Sequence, residues 1–244
     1  MVRSSLRWTI AYCTTLIGPT LLAQGVDVSA RIVMHTDKRT ASTAQKTNSS
    51  VANVVVWLSP TRAEDPKPAP AVHPPYRLLQ KDKQFHPHLL VVPTGTNVEF
   101  PNADPFFHNV FSLFNGKRFD LGLYESGTSR SVRFDREGIS YIFCNIHPEM
   151  GAVVLALSTP YYAVSGADGL ITIHDLPPGS YRMNVWSENA AWLHGSETQH
   201  VVQIGPGAGT VRLGEITMQP TASPLGNHKN KFGEDYRPEP HPPY

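Results

Sequence analysis

The sequence predicts an all-β chain made of two β modules, and three observations point there. Short strand-like segments recur through residues 76–158 with turn signals between them and no helical periodicity, the pattern of an antiparallel sandwich or barrel. Before them, Pro60, Pro66, Pro68, Pro70, Pro74 and Pro75 crowd a stretch that cannot be a regular element and marks a boundary. After Pro160 a different module begins, in which Asp168-Gly169 and Leu176-Pro177-Pro178-Gly179 read as turns between strands.

Taken in order, residues 1–24 read as a secretory signal peptide. Arg3 and Arg7 form a basic start, an apolar stretch runs from Trp8 to Leu22, and Ala23 is a small residue at its end. Thr14, Thr15, Gly18 and Pro19 interrupt this stretch too often for a good spanning helix. Cys13 lies behind Tyr12, where a lipid-anchor site would want a small residue. Residues 26–34 alternate, with Val26, Val28, Ala30, Ile32 and Met34 on one side, and predict a half-buried strand. Residues 35–50 are polar and read as a loop. Residues 51–58 are almost continuously apolar, with Trp57, and predict a strand buried on both faces.

Past the Pro-rich stretch, strands are predicted at 76–80, 88–92, 97–100, 109–112, 131–134, 140–143 and 152–157. Thr94-Gly95-Thr96 and Glu137-Gly138 are the tightest turns. The last module supplies strands at 161–165, 170–173, 181–186, 198–204 and 209–218. Residues 219–244 are rich in Pro, Lys, Asn and His with little to bury, and are expected to be disordered or draped over the surface.

The 244 residues suffice for one large or two small domains. The net charge of +1 falls to near −1 once Arg3 and Arg7 leave with the signal, and neither value suits nucleic acid or an anionic membrane. No later stretch is long and apolar enough to span a membrane. Of the two cysteines only Cys144 remains after signal removal. It cannot form an intramolecular disulfide, and a free thiol in an oxidising compartment is a liability that metal ligation removes.

Cys144 opens the motif that carries chemistry. In Tyr141-Ile142-Phe143-Cys144-Asn145-Ile146-His147-Pro148-Glu149-Met150, a thiol, an imidazole and a thioether fall within seven positions directly after a strand-like run. A soft thiolate with imidazole and a weak axial thioether suits copper in a site of two histidines and one cysteine. The second histidine is expected to be His108, in the turn-rich segment around Asn102, Pro105, Phe106 and Phe107. By itself His108 also reads as a core or turn histidine, and Met150 as a core residue at a strand start; without Met150 the site is three-coordinate and still redox-active. Zinc is poorly served by a thioether and usually takes more Cys or His in structural sites. His86 and His88 flank Pro87 and read as a solvated strand end before a second metal site. The remaining histidines show no ligand spacing, and no nucleophile, acid–base pair or phosphate loop stands out.

The segment of residues 85–157 resembles the cupredoxin family, in particular plastocyanin-like and amicyanin-like members. The matching residues are Phe85-His86-Pro87, Gly95-Thr96-Asn97-Val98-Glu99-Phe100, Asn102, His108-Asn109-Val110 and Tyr141 to Cys144 with His147, Met150 and Gly151. The resemblance implies a Greek-key sandwich and a single copper ion held by His108, Cys144, His147 and Met150. It also implies that Asn109 hydrogen-bonds the Cys144 loop. A single cysteine in that loop implies a mononuclear site. Asp168-Gly169 with Leu176-Pro177-Pro178-Gly179-Ser180-Tyr181 resembles the regulatory-like β-sandwich associated with carboxypeptidases, related to transthyretin-like folds, in which two strands precede this hairpin. The whole arrangement resembles exported bacterial proteins labelled plastocyanin-like or methylamine-utilisation-like.

The expected organisation is therefore a signal peptide (1–24), N-terminal strands of the regulatory-like sandwich (25–60), a Pro-rich linker (61–75), a cupredoxin domain (76–158), the rest of the regulatory-like sandwich (160–218) and the tail (219–244). The expected function is an exported type 1 (blue) copper protein, in the periplasm or cell envelope, that carries single electrons between transient redox partner proteins and is not an enzyme. Its exposed His147 edge is expected to sit in an apolar rim of Pro105, Phe106, Phe107, Pro148 and Gly151. The alternative is a binding or structural module of the cell envelope, in which the second sandwich takes glycan or protein and the metal stabilises or serves copper handling.

Overall fold

The structure, a computed structural model, describes residues 25–35, 50–62, 75–113, 116–193, 200–207, 209–226 and 228–236. The expected signal peptide, residues 63–74 of the expected linker and residues 237–244 of the tail lie outside the described residues.

In chain order the strands are β1 (Val26–Met34), β2 (Val55–Pro60), β3 (Tyr76–Arg77), β4 (Leu79–Lys81), β5 (Gln84–His86), β6 (Leu89–Pro93), β7 (Thr96–Pro101), β8 (His108–Ser112) and β9 (Phe119–Tyr124). There follow β10 (Ser129–Phe134), β11 (Gly138–Cys144), β12 (Gly151–Leu157), β13 (Tyr162–Val164), β14 (Leu170–Leu176), β15 (Gly179–Trp186), β16 (Ala190–Trp192), β17 (Val201–Ile204) and β18 (Thr210–Pro220). The chain is all-β, and no helix occurs among the described residues.

Apart from the two-stranded β4–β5 sheet, these strands form four stacked layers. The outermost, β14-β1-β18-β16, packs on β13-β2-β15-β17 through a core that includes Val28, Ile32, Val56, Leu58, Tyr181, Ile216 and Met218. The opposite face of the second layer carries Val55, Trp57, Tyr162 and Trp186. These meet Val91, Leu155, Leu157 and Ile139 of the third layer, β6-β12-β11-β8-β9. The third layer in turn closes on β10-β7-β3 over Val92, Val98, Phe100, Phe134, Ile142 and Ala152. Being covered on both sides explains why β12 reads Gly-Ala-Val-Val-Leu-Ala-Leu without alternation. β1, covered on one side only, buries Val26, Val28, Ala30 and Ile32 in strict alternation.

Both ends of the chain build the outer pair of layers. β1 runs parallel to β18 and antiparallel to β14, and β2 lies between β13 and β15. β3 and β6 to β12 belong to the other two layers, and β4 pairs with β5 in a separate two-stranded sheet.

Three strands escape the sequence reading: β5, β9 and β16. β9 contains Asp120 and Gly122, the latter at φ 67, and so breaks any apolar alternation. The second predicted strand also starts later than expected. Residues 51–53 form a turn with Asn53 at φ 60, tied by Asn53 N–H to Ser165 O (3.0 Å) and Val54 N–H to Ser165 Oγ (2.9 Å).

Candidate metal centre

β8 and β11 run antiparallel, with Val110 opposite Cys144 and Phe111 opposite Phe143. The start of one strand therefore lies beside the end of the other, and His108 comes level with the loop that leaves Cys144. Along β11, Ile142 and Cys144 point into the core while Phe143 points out. The loop doubles back through Met150 N–H to His147 O (3.1 Å) and Cys144 N–H to Met150 O (3.3 Å), which turns His147 over Cys144.

The result is a triangle of donor atoms. His108 Nδ1 lies 3.1 Å from His147 Nδ1 and 3.6 Å from Cys144 Sγ, and His147 Nδ1 lies 3.5 Å from the same sulfur. A triangle with those sides has a circumradius of about 2.0 Å, the length of a metal–imidazole bond. His108 and Cys144 are fully buried and His147 is half-buried. Among the described residues no other group of three His, Cys, Asp or Glu side chains could hold a metal. Met150 is fully buried in the same core cluster as Cys144.

The electrostatics keep the two imidazoles neutral and the thiol protonated while no cation is present. Burial pushes the Cys144 thiol up, against backbone N–H groups of Asn109, Ile146 and His147 that favour the thiolate. Burial, then the proximity of His108 and Lys83, brings His147 down to about 4. Burial also lowers His108, opposed by its bond to Asp104. A metal that displaces the thiol proton finds both imidazole lone pairs free.

Asp104 decides which nitrogen of His108 is free. Its Oδ2 lies 2.8 Å from His108 Nε2 and 3.0 Å from Lys83 N, and its Oδ1 2.6 Å from Asp82 N. Burial opposes the charge of Asp104, but the bonds from His108, Lys83 and Asp82 hold its carboxyl below the usual range. An ionised carboxylate only accepts, so Nε2 of His108 carries the proton and Nδ1 faces the triangle unprotonated.

Asn109 bonds the Cys144 loop as expected, but through its backbone and not its side chain. Its side-chain amide donates to Asp120 Oδ1 (2.7 Å), and its Oδ1 is buried without a partner. Its backbone holds the loop instead, with Asn145 N–H donating to Asn109 O (3.1 Å). The β8–β9 pairing draws the side chain away, because it brings Asp120 alongside Phe111.

Residues 221–226 and 228–236 form a strap across the outer face of the ligand loop. His228 stacks on Phe143 with ring centroids 4.1 Å apart, and Leu225 lies over Gly151, where an added Cβ would meet its Cδ1 at 3.3 Å. Lys231 N–H donates to Asn145 Oδ1 (2.9 Å), Lys231 Nζ meets Asp120 (2.8 Å), and the Tyr236 hydroxyl donates to Cys144 O (2.7 Å). Gly151 therefore faces the strap and not the rim. Exposed apolar residues neighbour the two histidines in sequence: Pro105 and Phe107 (50%) before His108, and Ile146 and Pro148 on either side of His147. Half-buried Phe106 has its ring 5.2 Å from that of His108 and 5.4 Å from that of His147. His86 is exposed, while His88 pairs with Glu188, whose other oxygen accepts the Ser223 hydroxyl of the strap.

The sequence reading missed Asp104, His228 and Tyr236. Asp104 had one available signal, its position four residues before His108. The two tail residues had none, because their contacts span 85 and 92 positions.

No family model matches the chain, and no curated protein matches it. Among solved structures it is similar to a purple cupredoxin from Nitrosopumilus maritimus, with 23% identity over 34% of this chain and 99% of that one and a TM-score of 0.31. Amicyanin from Paracoccus versutus is 17% identical over 41% of this chain and 97% of that one, with a TM-score of 0.32. A copper-containing nitrite reductase from Thermus scotoductus SA-01 is 20% identical over 52% of this chain but only 28% of its own length, with a TM-score of 0.33.

Proposed function

We propose that this chain is an exported, mononuclear copper protein that passes single electrons between redox partner proteins. His108, Cys144 and His147 are its strong ligands and Met150 its weak one. The observation that carries the reading is the buried triangle of two imidazole nitrogens and one sulfur, spaced so that one point lies about 2.0 Å from all three. A copper ion held there would supply the Cu(I)/Cu(II) couple. One thiolate and two imidazoles in a fixed, dry frame favour copper over zinc, whose structural sites generally draw on four Cys or His ligands.

The surrounding residues do the rest. Phe106 packs edge-on to the His108 ring and tilted against that of His147, and shields the donor atoms from water. The loop bonds at Cys144, His147 and Met150 hold the donors in one geometry, so little rearrangement accompanies a change in charge. His147 is the ligand nearest solvent, and Phe107, Ile146 and Pro148 offer a small apolar surface for brief contacts with a partner. Ligation by protein on all sides leaves no open position for a substrate, which makes the chain a carrier and not an enzyme.

The same reading divides the chain into a cupredoxin unit (76–158) inserted in a regulatory-like sandwich (25–60 with 160–218), behind a signal peptide that directs it to the periplasm or envelope. The pairing of β1 with β14 and β18, and of β2 with β13 and β15, supports the insertion. The test is the visible and EPR spectrum after adding Cu(II), beside Cys144→Ser. An intense charge-transfer band with narrow copper hyperfine splitting, absent in the variant, is expected; equal copper binding without Cys144 would end the proposal.

A further inference from the structure

We infer that Asp104 is a positioning residue that orients His108 and biases the site toward the oxidised metal. The inference rests on the copper reading above and concerns the one buried carboxylate among the described residues that touches a candidate ligand. Asp104 is 3% exposed, accepts the Nε2 proton of His108 at 2.8 Å, and accepts two further backbone N–H groups, from Asp82 and Lys83. Three donors thus occupy three of the roughly four lone-pair sites of its two oxygens.

The turn that supplies two of those donors is a two-residue hairpin loop. Asp82 and Lys83 both sit at φ 54, the left-handed region that non-glycine residues seldom occupy, at the tip of the β4–β5 hairpin. That conformation aims successive N–H groups at one carboxylate, as in an anion-binding nest. Positive φ at both central residues is the requirement of a two-residue hairpin turn of this hand, so the fold of the hairpin itself presents the two N–H groups to Asp104. The hairpin brings Lys83 along with it, 5.5 Å above the Phe106 ring.

Two consequences follow from the chemistry of a carboxylate at the far nitrogen of a ligating imidazole. The bond fixes ring orientation and tautomer, and it makes Nδ1 a stronger donor. The buried negative charge also stabilises the oxidised ion, which carries one more positive charge than the reduced one, and the low local dielectric keeps that interaction from being screened away.

The test compares midpoint potentials of copper-loaded wild type, Asp104→Asn and Asp104→Glu. Asp104→Asn is expected to lower the ratio of Cu(II) to Cu(I) affinity about tenfold, a rise of about 59 mV in midpoint potential for one electron. Asp104→Glu, which keeps the charge, is expected to return most of that shift, and loosened packing alone predicts no such rescue. An unchanged or lowered potential in Asp104→Asn overturns the inference. Should Asp104→Asn not fold, nitrogen-15 NMR of metal-free wild type decides: a slowly exchanging Nε2–H on His108 supports the inference, and an Nδ1–H tautomer overturns it. A wild type without the charge-transfer band rejects the copper reading itself, which keeps the two failures apart.

Discussion

The Tyr236 hydroxyl donates a 2.7 Å hydrogen bond to the backbone carbonyl of Cys144, across 92 positions of chain. The same tyrosine stands edge-on to His228, which stacks on Phe143. The strap and the ligand loop therefore hold each other. Tyr236→Phe removes one bond to a partly buried carbonyl and should cost about 1 kcal/mol. Urea unfolding should show that loss, and amide exchange should quicken in residues 144–150 while staying unchanged in β1. Equal exchange in both proteins would mean that the strap does not restrain the loop.

Joining the layers is a second matter. His88 and Glu188 tie the third layer to the second, and Ser223 of the strap bonds the same carboxylate. The Glu188 bond raises His88 above its ordinary 6.5. Burial opposes the charge of Glu188, but His88 and Ser223 bring it below 4.5. A raised histidine stabilises fully below 6.5, and the contribution fades as pH climbs through its folded value; a depressed glutamate stabilises above 4.5, and the contribution fades as pH drops through its folded value. The joint is strongest between those two limits. His88 is half exposed, so the effect stays below about 1 kcal/mol. The stability advantage of wild type over Glu188→Gln should shrink from pH 5.5 to 8.5. The depressed histidines His108, His147 and His228, which gain stability over that range, are common to both proteins and cancel in the difference.

Leu155 sits almost fully buried between the second and third layers, with Val55, Val91 and Leu157. Truncating it opens a cavity shared by both sandwiches. Leu155→Ala should cost about 2–5 kcal/mol, and both sandwiches should still unfold together. Two separated transitions in the wild-type thermal scan would show that this contact does not couple them.

Copper should stabilise the folded chain by mass action, by about 2.7 kcal/mol at a free concentration one hundred times the dissociation constant. A calorimetric Tm that rises with Cu(II) in wild type and stays flat in Cys144→Ser is the expected pair of results. Without metal, burial holds the Cys144 thiol protonated and out of reach, so iodoacetamide should label it slowly at neutral pH until the chain is denatured.

How much of this could be read in the sequence depends on how local each feature is. Cys144, His147 and Met150 are readable because one loop carries them at fixed offsets. His108 needed the neighbouring Asn102 and Asn109 to stand out from an ordinary turn histidine. Asp104 stayed hidden because the segment around Pro105 has no period that says which way a side chain points. The alternation in β1 was plain, whereas β9 was invisible because Gly122 and Asp120 interrupt it. His228 and Tyr236 acquire meaning only when the tail reaches Phe143 and Cys144, and no local pattern encodes that meeting.

The pairing of β1 with β18 has a temporal consequence. A ribosome releases β1 and β2 long before β13, β14, β15 and β18 exist, so the first two strands wait with open edges while β3 to β12 emerge and close on one another. The unit with the candidate ligands can complete during synthesis, and the outer pair of layers only after it. A holdase that shields residues 26–34 in that interval would raise the yield of native chain, and a stop codon after β12 would leave two orphan strands as the aggregation-prone part of the product.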